Sequence, residues 1–233
     1  MKFDRTWTGN WENAFHGLRH PMESYARSDS YMDTFVEWSG SNYNVEQSFK
    51  IGPNDLDLAQ RMIKAGSPND KFLRQIFVSV DITAPLYFFK EFDTYKVATV
   101  ANSTSTMHKL ASTPITIDCF EIDDFNSDIY DCFENENGER IKEPFKTVYI
   151  EPWIMQLEYL RKNYLETKDI RYWKELIRWL PESWLQTRAW SANYATLRNI
   201  IHWRRGHRLS EWAQFIEWCK TLPYSEELLF YEQ

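Results

Sequence analysis

The clearest pattern in the chain is an alternation of apolar and polar residues from Ile76 to Ile82. An alternation of period two is typical of a β-strand that is covered on one face, so a strand is predicted here. Pro85 follows three positions later and predicts the start of a helix. A weaker alternation over residues 42–50 predicts a further strand.

Apolar residues recur at helical spacing near the N-terminus and throughout the C-terminal hundred residues. Proline and glycine interrupt these patterns, as at Gly66, Pro181 and Gly206, and set the predicted helix ends. The predicted helices cover residues 11–19, 56–65, 153–164, 169–180, 183–205 and 209–222. Strands early and helices late, with no visible linker or repeat, predict a single α+β domain over residues 1–233.

The composition agrees with one globular domain, because 43% of the 233 residues are apolar and 17% are aromatic. No apolar run approaches the roughly 18 residues of a membrane span, and the first residues lack a signal-peptide core. We therefore expect a cytoplasmic protein that does not bind membranes. The three cysteines are widely spaced and predict neither a disulfide framework nor a metal or redox pair. Seven glycines without a Gly-x-Gly pair argue against dinucleotide and P-loop motifs.

Negative charge is concentrated in one stretch of the chain. Residues 118–143 hold ten acidic side chains and two basic ones, Arg140 and Lys142. The net negative charge of this stretch is therefore larger than the net charge of -7 of the whole protein. We interpret residues 118–146 as an acidic surface excursion. Asp123 and Asp124 lie within this stretch. They could act as a general acid and base or bind a cation, besides the interpretation as part of a solvated surface. Because no dense basic surface is predicted, duplex nucleic acid is not expected as a partner.

Residues 93–109 differ from their surroundings, since small hydroxyl side chains dominate them and Tyr95, Lys96 and Asn102 are embedded among these. Hydroxyls, amides and a cation can surround a phosphate group without glycine. The composition leaves two interpretations open, which are an anion- or nucleotide-binding loop and an ordinary surface loop.

Two helical patterns also carry candidate chemistry. In the predicted helix 183–205, Asn193 and Arg204 fall within about 20° of one face, and Asn199 lies on an adjacent face. They predict either a polar ligand bound at this helix or a solvated basic face. His16 and His20 have the i, i+4 spacing of a metal-binding helix, but no third ligand lies nearby, so no metal is predicted.

Two blocks of sequence, taken together, resemble a known enzyme family. The first block runs from Ile82 through an Ala-Pro helix start to the tripeptide Thr94-Tyr95-Lys96 and on to Thr106. The second block contains, in order, Leu180-Pro181, Thr187-Arg188, Asn193, Asn199 and Arg204. Both blocks resemble the flavin-dependent thymidylate synthases, the ThyX family. The resemblance covers residues 55–212 and leaves residues 1–54 as an N-terminal extension.

The resemblance implies roles for individual residues. Thr94-Tyr95-Lys96 stands where the family has Arg-His-Arg, and Ala195 stands where the family has an arginine that contacts the flavin. The implied catalytic residues are Arg204 and Thr104. The implied substrate-binding residues are Lys90, Glu91, Lys96, Thr104, Thr106, Arg178 and Arg204. The implied cofactor-binding residues are Gln75, Thr94, Tyr95, Lys96, Asn102, Asn193 and Asn199.

The resemblance also implies an activity, a fold and an assembly. The family transfers a one-carbon unit to C5 of dUMP, using methylenetetrahydrofolate, NADPH and bound FAD, without an active-site cysteine. The implied fold is a small, mostly antiparallel sheet with a helical C-terminal half, and the implied assembly is a homotetramer with shared sites. Two alternatives stay open, a dUMP hydroxymethylase-like variant and a nucleotide-binding or regulatory homologue without flavin or turnover.

The tryptophan content supports the expectation of an oligomer. Eleven tryptophans exceed what one core of this size obviously needs, and the surplus can be buried between subunits. The residues expected at such interfaces are Trp11, Trp38, Trp153, Trp173, Trp179 and Trp184.

Overall fold

The computed structural model describes residues 1–39, 42–122, 130–144 and 146–232. The chain divides into two compact units. The first unit comprises Met1–Ile82, Thr94–Asn102 and Ala189–Gln233, and the second comprises Thr83–Asp93 and Ser103–Arg188. The assignment of one domain over residues 1–233 stays a prediction.

Short strands and helices occur along the whole chain. The strands are β1 (Lys2–Gly9), β2 (Tyr31–Ser39), β3 (Asn42–Lys50), β4 (Phe77–Pro85), β5 (Val100–Ser103), β6 (Tyr130–Glu134), β7 (Arg140–Pro144) and β8 (Leu185–Asn193). The α-helices are α1 (Trp11–Arg19), α2 (Pro53–Ala65), α3 (Leu86–Phe92), α4 (Thr106–Lys109), α5 (Glu151–Thr167), α6 (Ile170–Arg178), α7 (Tyr194–Arg204) and α8 (Ser210–Lys220). A 3-10 helix over Asn69–Gln75 leads into β4.

The described strands form a four-stranded sheet and two hairpins. The sheet has the order β1-β4-β8-β5. β2 pairs antiparallel with β3, and Tyr31 lies opposite Lys50. β6 pairs antiparallel with β7, and Tyr130 lies opposite Pro144. The small antiparallel sheet and the helix-rich C-terminal half confirm the predicted α+β class.

Alternating burial along β4 gives the first unit part of its core. Val78, Val80 and Ile82 are buried, whereas the residues between them are only partly buried, as a strand covered on one face requires. The helices of this unit contribute further large buried side chains, among them Phe15, Tyr194, Leu197, Trp212 and Phe215. Full burial of an apolar side chain of this kind contributes about 1.5–3 kcal/mol.

A buried ion pair joins α1 to α2 in the first unit. Arg19 Nε and Nη2 donate to Asp55 Oδ1 at 2.7 Å and 2.6 Å, and both side chains are buried. Asp55 Oδ2 also accepts hydrogen bonds from Ser28 Oγ at 2.8 Å and from the Ser30 amide at 3.0 Å. Burial raises the pKa of Asp55, but the hydrogen bonds from Ser30, Ser28 and Arg19 outweigh it, and the net pKa is lowered.

The second unit has its own apolar cluster and its own anchored arginine. The buried cluster consists of Leu110, Ile115, Phe120, Leu157, Leu160 and Leu176. Arg161 Nε and Nη2 each donate to Glu158 at 2.6 Å, and Arg161 Nη1 donates to the Ala111 carbonyl at 3.1 Å. The bond to Ala111 joins α5 to a segment that precedes it, and the Glu158 carboxylate holds the arginine in place for that bond.

The prediction of one long helix over residues 183–205 is wrong. Leu185–Asn193 form β8, which lies between β4 and β5 in the sheet, and α7 begins only at Tyr194. Leucine, glutamine, arginine and alanine favour helices locally, but pairing with two neighbouring strands outweighs that preference. The expectation that strands occur only early in the chain is therefore also wrong. The other predicted helices are confirmed, with shifts of a few residues at their ends.

The tryptophans expected at interfaces differ in their exposure. Trp11 is buried in the core, contrary to expectation, because it packs edge-on against Tyr194. Trp153 and Trp179 are 41% and 55% exposed, whereas Trp173 and Trp184 are partly buried. The side chain of Trp38 lies outside the described residues.

Neither a membrane span nor a metal cluster is found in the described part of the chain. None of the helices there is both long and apolar enough to cross a membrane. No three His, Cys, Asp or Glu side chains of that part group together as they would around a metal ion. His16 and His20 instead form a ring cluster with Tyr25, whose hydroxyl lies 3.2 Å from His20 Nδ1.

Candidate functional site

The first unit contains a cavity of about 620 Å³ whose walls come from three distant stretches of sequence. Arg74, near the end of the 3-10 helix before β4, lines one wall. The loop after α3 lines a second wall with residues 94–98. The start of α7 lines the third with Asn193, Ala195, Thr196 and Asn199. Small-molecule sites typically enclose about 300–1,000 Å³, so this volume suits a ligand.

Asn193 fixes the start of α7 at the cavity. Its Oδ1 accepts hydrogen bonds from the Thr196 amide at 2.9 Å and from Thr196 Oγ1 at 3.2 Å, which is the geometry of a helix N-cap. The next residue, Tyr194, donates its amide to the Ile76 carbonyl at 3.1 Å and its hydroxyl to the Pro223 carbonyl at 2.6 Å. Asn193 therefore caps the helix that carries Arg204, whereas the sequence predicted that both lie on one face of a longer helix.

Two threonine hydroxyls hold the loop over residues 94–98 through its carbonyl groups. Thr99 Oγ1 donates to the Tyr95 carbonyl at 2.7 Å, and the Thr196 hydroxyl, which has one proton, shares it between Asn193 Oδ1 at 3.2 Å and the Val97 carbonyl at 3.3 Å. Ala98 has a φ of 57°, in the left-handed region that residues with a Cβ seldom adopt. A strained alanine held in a cavity wall is a feature that recurs at ligand sites.

The lining of this cavity is positively charged. Arg74 and Lys96 are exposed cations, and none of the described residues in the lining is an aspartate or glutamate. Within the described part of the chain, neither side chain forms an ion pair. Asn193 and Asn199 add amides, and Tyr95 adds an aromatic ring. This combination suits a ligand that carries both a ring and an anionic group.

Arg204 is held next to Tyr95 by aromatic rings. Its guanidinium carbon lies 4.5 Å from the ring centroid of Trp212 and 5.2 Å from that of Tyr95. Trp212 is fully buried, and its ring contacts Tyr95 with centroids 6.0 Å apart. The cation is therefore fixed in orientation by two rings, of which Tyr95 also lines the cavity.

Arg204 itself lines a second opening and is not among the residues that line the first cavity. The second opening has a volume of about 370 Å³ and is lined in part by Arg204, Arg205, His207 and Lys220. Glu217 also lines it and pairs with Lys220 at 2.7 Å. This opening is therefore less strongly cationic than its lysine and arginines alone suggest.

Gln75 and Asn102 lie outside the lining of the first cavity. Gln75 lines a different cavity, of about 560 Å³, together with Gly17. Its side chain lies close to Gly17, since a Cβ atom added at Gly17 would lie 3.0 Å from Gln75 Oε1. Asn102 is exposed on β5. Arg74, next to Gln75, lines both of these cavities, and no role was predicted for it from the sequence. The signal that could have identified Arg74 was its position next to Gln75, a predicted cofactor-binding residue.

The other residues implied by the resemblance belong to the second unit. Thr104 pairs with β8 there, since its amide donates to the Thr187 carbonyl at 2.9 Å and its Oγ1 accepts from the Thr187 amide at 3.3 Å. Lys90 is paired with Glu182 at 2.6 Å. Arg178 is paired with Glu175 on the same helix. The remaining two are Glu91, near the end of α3, and Thr106, the first residue of α4.

Arg188 is anchored in the second unit by two polar partners and an aromatic ring. Its Nη1 donates to Asp93 Oδ1 at 2.7 Å, its Nε donates to Gln186 Oε1 at 2.9 Å, and its guanidinium lies 3.9 Å from the Phe89 ring centroid. These contacts connect β8 to the end of α3. The candidate pair Asp123 and Asp124 lies outside the described residues.

Comparison with known proteins identifies the fold. No protein-family model matches the chain, and no curated protein matches it by sequence. A structure of thymidylate synthase X (ThyX) from Helicobacter pylori with FAD and dUMP matches with a TM-score of 0.64 and 16% identity, covering 100% of both chains. Another structure of flavin-dependent thymidylate synthase ThyX from the same organism, also complexed with FAD and dUMP, matches with a TM-score of 0.62 and 16% identity, covering 99% of this chain and 98% of that one. The chain therefore has a ThyX-like fold, which confirms the resemblance at the level of fold.

Proposed function

We propose that this chain is a divergent flavin-dependent thymidylate synthase-like enzyme that transfers a one-carbon unit to C5 of a pyrimidine nucleotide resembling dUMP. The observation that carries the proposal is the cationic cavity lined by Tyr95, whose ring lies against Arg204. It occurs in a chain whose fold matches, over its full length, proteins solved with FAD and dUMP.

The residues present fit a flavin nucleotide. Tyr95 offers an aromatic face, Asn193 and Asn199 offer amides, and Lys96 offers a cation that can meet a phosphate. Thr94 also lines the cavity and is assigned to the same role, whereas Gln75 and Asn102 are assigned to it on the resemblance alone. Bound FAD would supply the hydride and redox chemistry that no side chain of the protein can supply. The protein then has to bind, orient and exclude water around the reacting ring.

Arg204 is the proposed catalytic cation. Making C5 of a uracil ring nucleophilic requires negative charge to accumulate at the O2 and O4 edge of the ring. A guanidinium held by Trp212 and Tyr95 can stabilise that charge without reorganising during the reaction. Burial raises the pKa of the Cys219 thiol, so this cysteine stays protonated and is unsuited to a thiolate mechanism.

The remaining assignments concern the nucleotide and the co-substrates. We propose Thr104 as an orienting hydroxyl, with Lys90, Glu91, Thr106 and Arg178 as nucleotide-binding residues. We propose NADPH and methylenetetrahydrofolate as co-substrates, and the cytoplasm as the place of action. We also propose a homotetramer, which is supported by the exposed rings of Trp153 and Trp179 in the second unit.

A flavin titration tests this proposal. The purified protein should show flavin absorbance, or acquire it when FAD is added, and the bound fraction should change with dUMP. Lys96→Glu should weaken FAD binding, because it reverses the charge of a lining residue. Lys64→Glu is the matched control, since Lys64 is an exposed lysine of the same unit that pairs with Glu232 away from this lining. If the wild-type protein takes up no flavin, the result contradicts the proposal that it is a flavoenzyme.

A second function is favoured by one observation in the sequence. Thr94 and Ala195 both line the cavity at positions where the family has arginines. A cavity with fewer cations suits a protein that binds a pyrimidine nucleotide without flavin or turnover. Calorimetric binding of dUMP by a protein that takes up no FAD would support this regulatory alternative over the enzyme.

A further inference from the structure

Arg74 is the cation of the first cavity that no sequence pattern predicted. It belongs to the 3-10 helix Asn69–Gln75, between the fully buried residues Leu73 and Ile76. The Ile76 carbonyl accepts the amide of Tyr194, and the Gln75 carbonyl accepts Asn10 Nδ2 at 2.8 Å. Because these bonds fix the backbone on its C-terminal side, the Arg74 side chain projects from a rigid base.

The surroundings of Arg74 favour an anionic ligand. Arg74 shares the lining of the cavity with Lys96, and the described lining contains no acidic side chain that could neutralise either cation. Ala195 on α7 lines the same cavity and has a short, uncharged side chain. Two positive charges in the lining of one cavity repel each other, and a bound anion offsets that repulsion.

We infer that Arg74 and Lys96 together grip a phosphate group of the ligand in this cavity, and that Arg74 makes the cavity selective for phosphorylated ligands. The planar guanidinium presents several N–H donors that match two phosphate oxygens at once, whereas Lys96 acts as a point charge. The inference rests on the proposed function in one respect, because the phosphate belongs either to the flavin nucleotide or to the pyrimidine nucleotide.

Calorimetry with paired ligands tests the inference. The probes are FAD against riboflavin and dUMP against deoxyuridine, and inorganic pyrophosphate serves as a probe without a ring. Arg74→Ala should raise the Kd of the phosphorylated member of one pair about 10- to 100-fold, equivalent to roughly 1.4–2.8 kcal/mol. The Kd of the unphosphorylated member should stay unchanged. The pair that responds identifies the source of the phosphate.

Three further variants separate recognition from folding. Arg74→Lys should recover part of the loss, since it keeps the charge but not the bidentate donors. Lys71→Ala is the matched control. Lys71 lies on the same 3-10 helix, but it lines the cavity of about 560 Å³ and not the first cavity. If Arg74 and Lys96 grip one phosphate, the double alanine variant should lose less affinity than the product of the two single losses.

The outcomes distinguish this inference from the proposed function. If wild-type protein binds FAD or dUMP and Arg74→Ala binds it equally well, the inference is overturned and the proposed function stands. An equal loss for phosphorylated and unphosphorylated ligands would also overturn it, since phosphate would not be the group recognised. If neither nucleotide binds but pyrophosphate does, in a manner that requires Arg74, the inference stands and the proposed function fails. If wild-type protein binds none of the three phosphate-bearing probes, the inference fails as well.

Discussion

Replacing Asp55 by asparagine should cost the first unit a large part of its stability. The asparagine side chain has nearly the same shape, but it carries no charge to balance Arg19, whose side chain is only 5% exposed. One end of the amide would also be a donor, placed among groups that already donate: Arg19, Ser28 and the Ser30 amide. The substitution therefore leaves a buried cation without its partner and at least one donor without an acceptor.

The size of the effect follows from these contacts. Removing one partner of a buried ion pair typically costs about 3–5 kcal/mol, because the other charge stays buried. Each hydrogen bond to a charged group contributes about 1.5–3 kcal/mol when considered alone, so the network reaches that range without being additive. Total stabilities are usually about 5–15 kcal/mol. We therefore expect Asp55→Asn to lower the free energy of unfolding by about 3–5 kcal/mol.

Urea unfolding followed by tryptophan fluorescence at neutral pH measures this loss. Asp57→Asn is the matched control on the same helix, since the Asp57–Arg61 pair is largely exposed and should change stability by less than about 1 kcal/mol. A loss below about 1 kcal/mol for Asp55→Asn, with an unchanged m-value, would refute the reasoning that the buried network holds α1 to α2.

The same network predicts a dependence on pH. The net pKa of Asp55 is lowered in the folded protein, so its contribution to stability is fully present above the unfolded pKa of about 3.9 and is lost as pH falls through the folded pKa. Wild-type protein should lose stability below about pH 4 more steeply than Asp55→Asn. Parallel pH profiles of the two proteins would contradict this assignment.

Three further substitutions test other parts of the account. Arg204→Ala should lower kcat about 10²-fold while the Kd for nucleotide changes little, in steady-state kinetics and calorimetry, because the charge on the ring develops only in the transition state; an equal loss in both would contradict a catalytic role. Tyr194→Phe should lower the free energy of unfolding by about 1–2 kcal/mol in urea, since the buried hydroxyl donates to the Pro223 carbonyl; no loss would contradict the value given to this bond. Thr104→Ala should raise KM for dUMP while the melting temperature stays nearly constant, because its bond to Thr187 is long and exposed; a lower melting temperature with unchanged KM would indicate a structural role instead.

The sheet was predictable only where burial follows a simple period. β4 has one covered face, so Val78, Val80 and Ile82 alternate with partly exposed residues and the sequence shows the strand directly. In β8 the buried positions are Gln186, Trp190, Ala192 and Asn193, which do not alternate strictly and include two polar side chains. Pairing with distant strands decides this segment, and a local pattern cannot express it.

The start of α7 is marked in the sequence by its N-cap residue. Asn193 is a residue type that strongly favours the N-cap, and its bonds to Thr196 show that it starts α7. Asn193 within the helical pattern therefore indicated that a helix starts there. It did not indicate a ligand-binding side chain on one face of a longer helix. The same residue still lies in the cavity wall, because the helix begins there.

The resemblance pointed to two walls of the cavity and missed the third. Tyr95, Lys96 and Asn199 come from the two blocks that it recognised. Arg74 precedes those blocks, and only the 3-10 helix before β4 brings it to the same cavity. Arg74 and Asn193 are more than a hundred positions apart, and only the fold brings them into the lining of one cavity, so local sequence cannot predict that they share it.

The central claim is chemistry at C5 of a pyrimidine nucleotide, and the release of tritium from dUMP labelled at C5 measures it most directly. Wild-type protein supplied with FAD, NADPH and methylenetetrahydrofolate should release the label, and mass spectrometry of the product should show whether a methyl or a hydroxymethyl group was added. Arg204→Ala should release the label about 10²-fold more slowly. Wild-type protein that binds FAD and dUMP yet releases no label would contradict the claim.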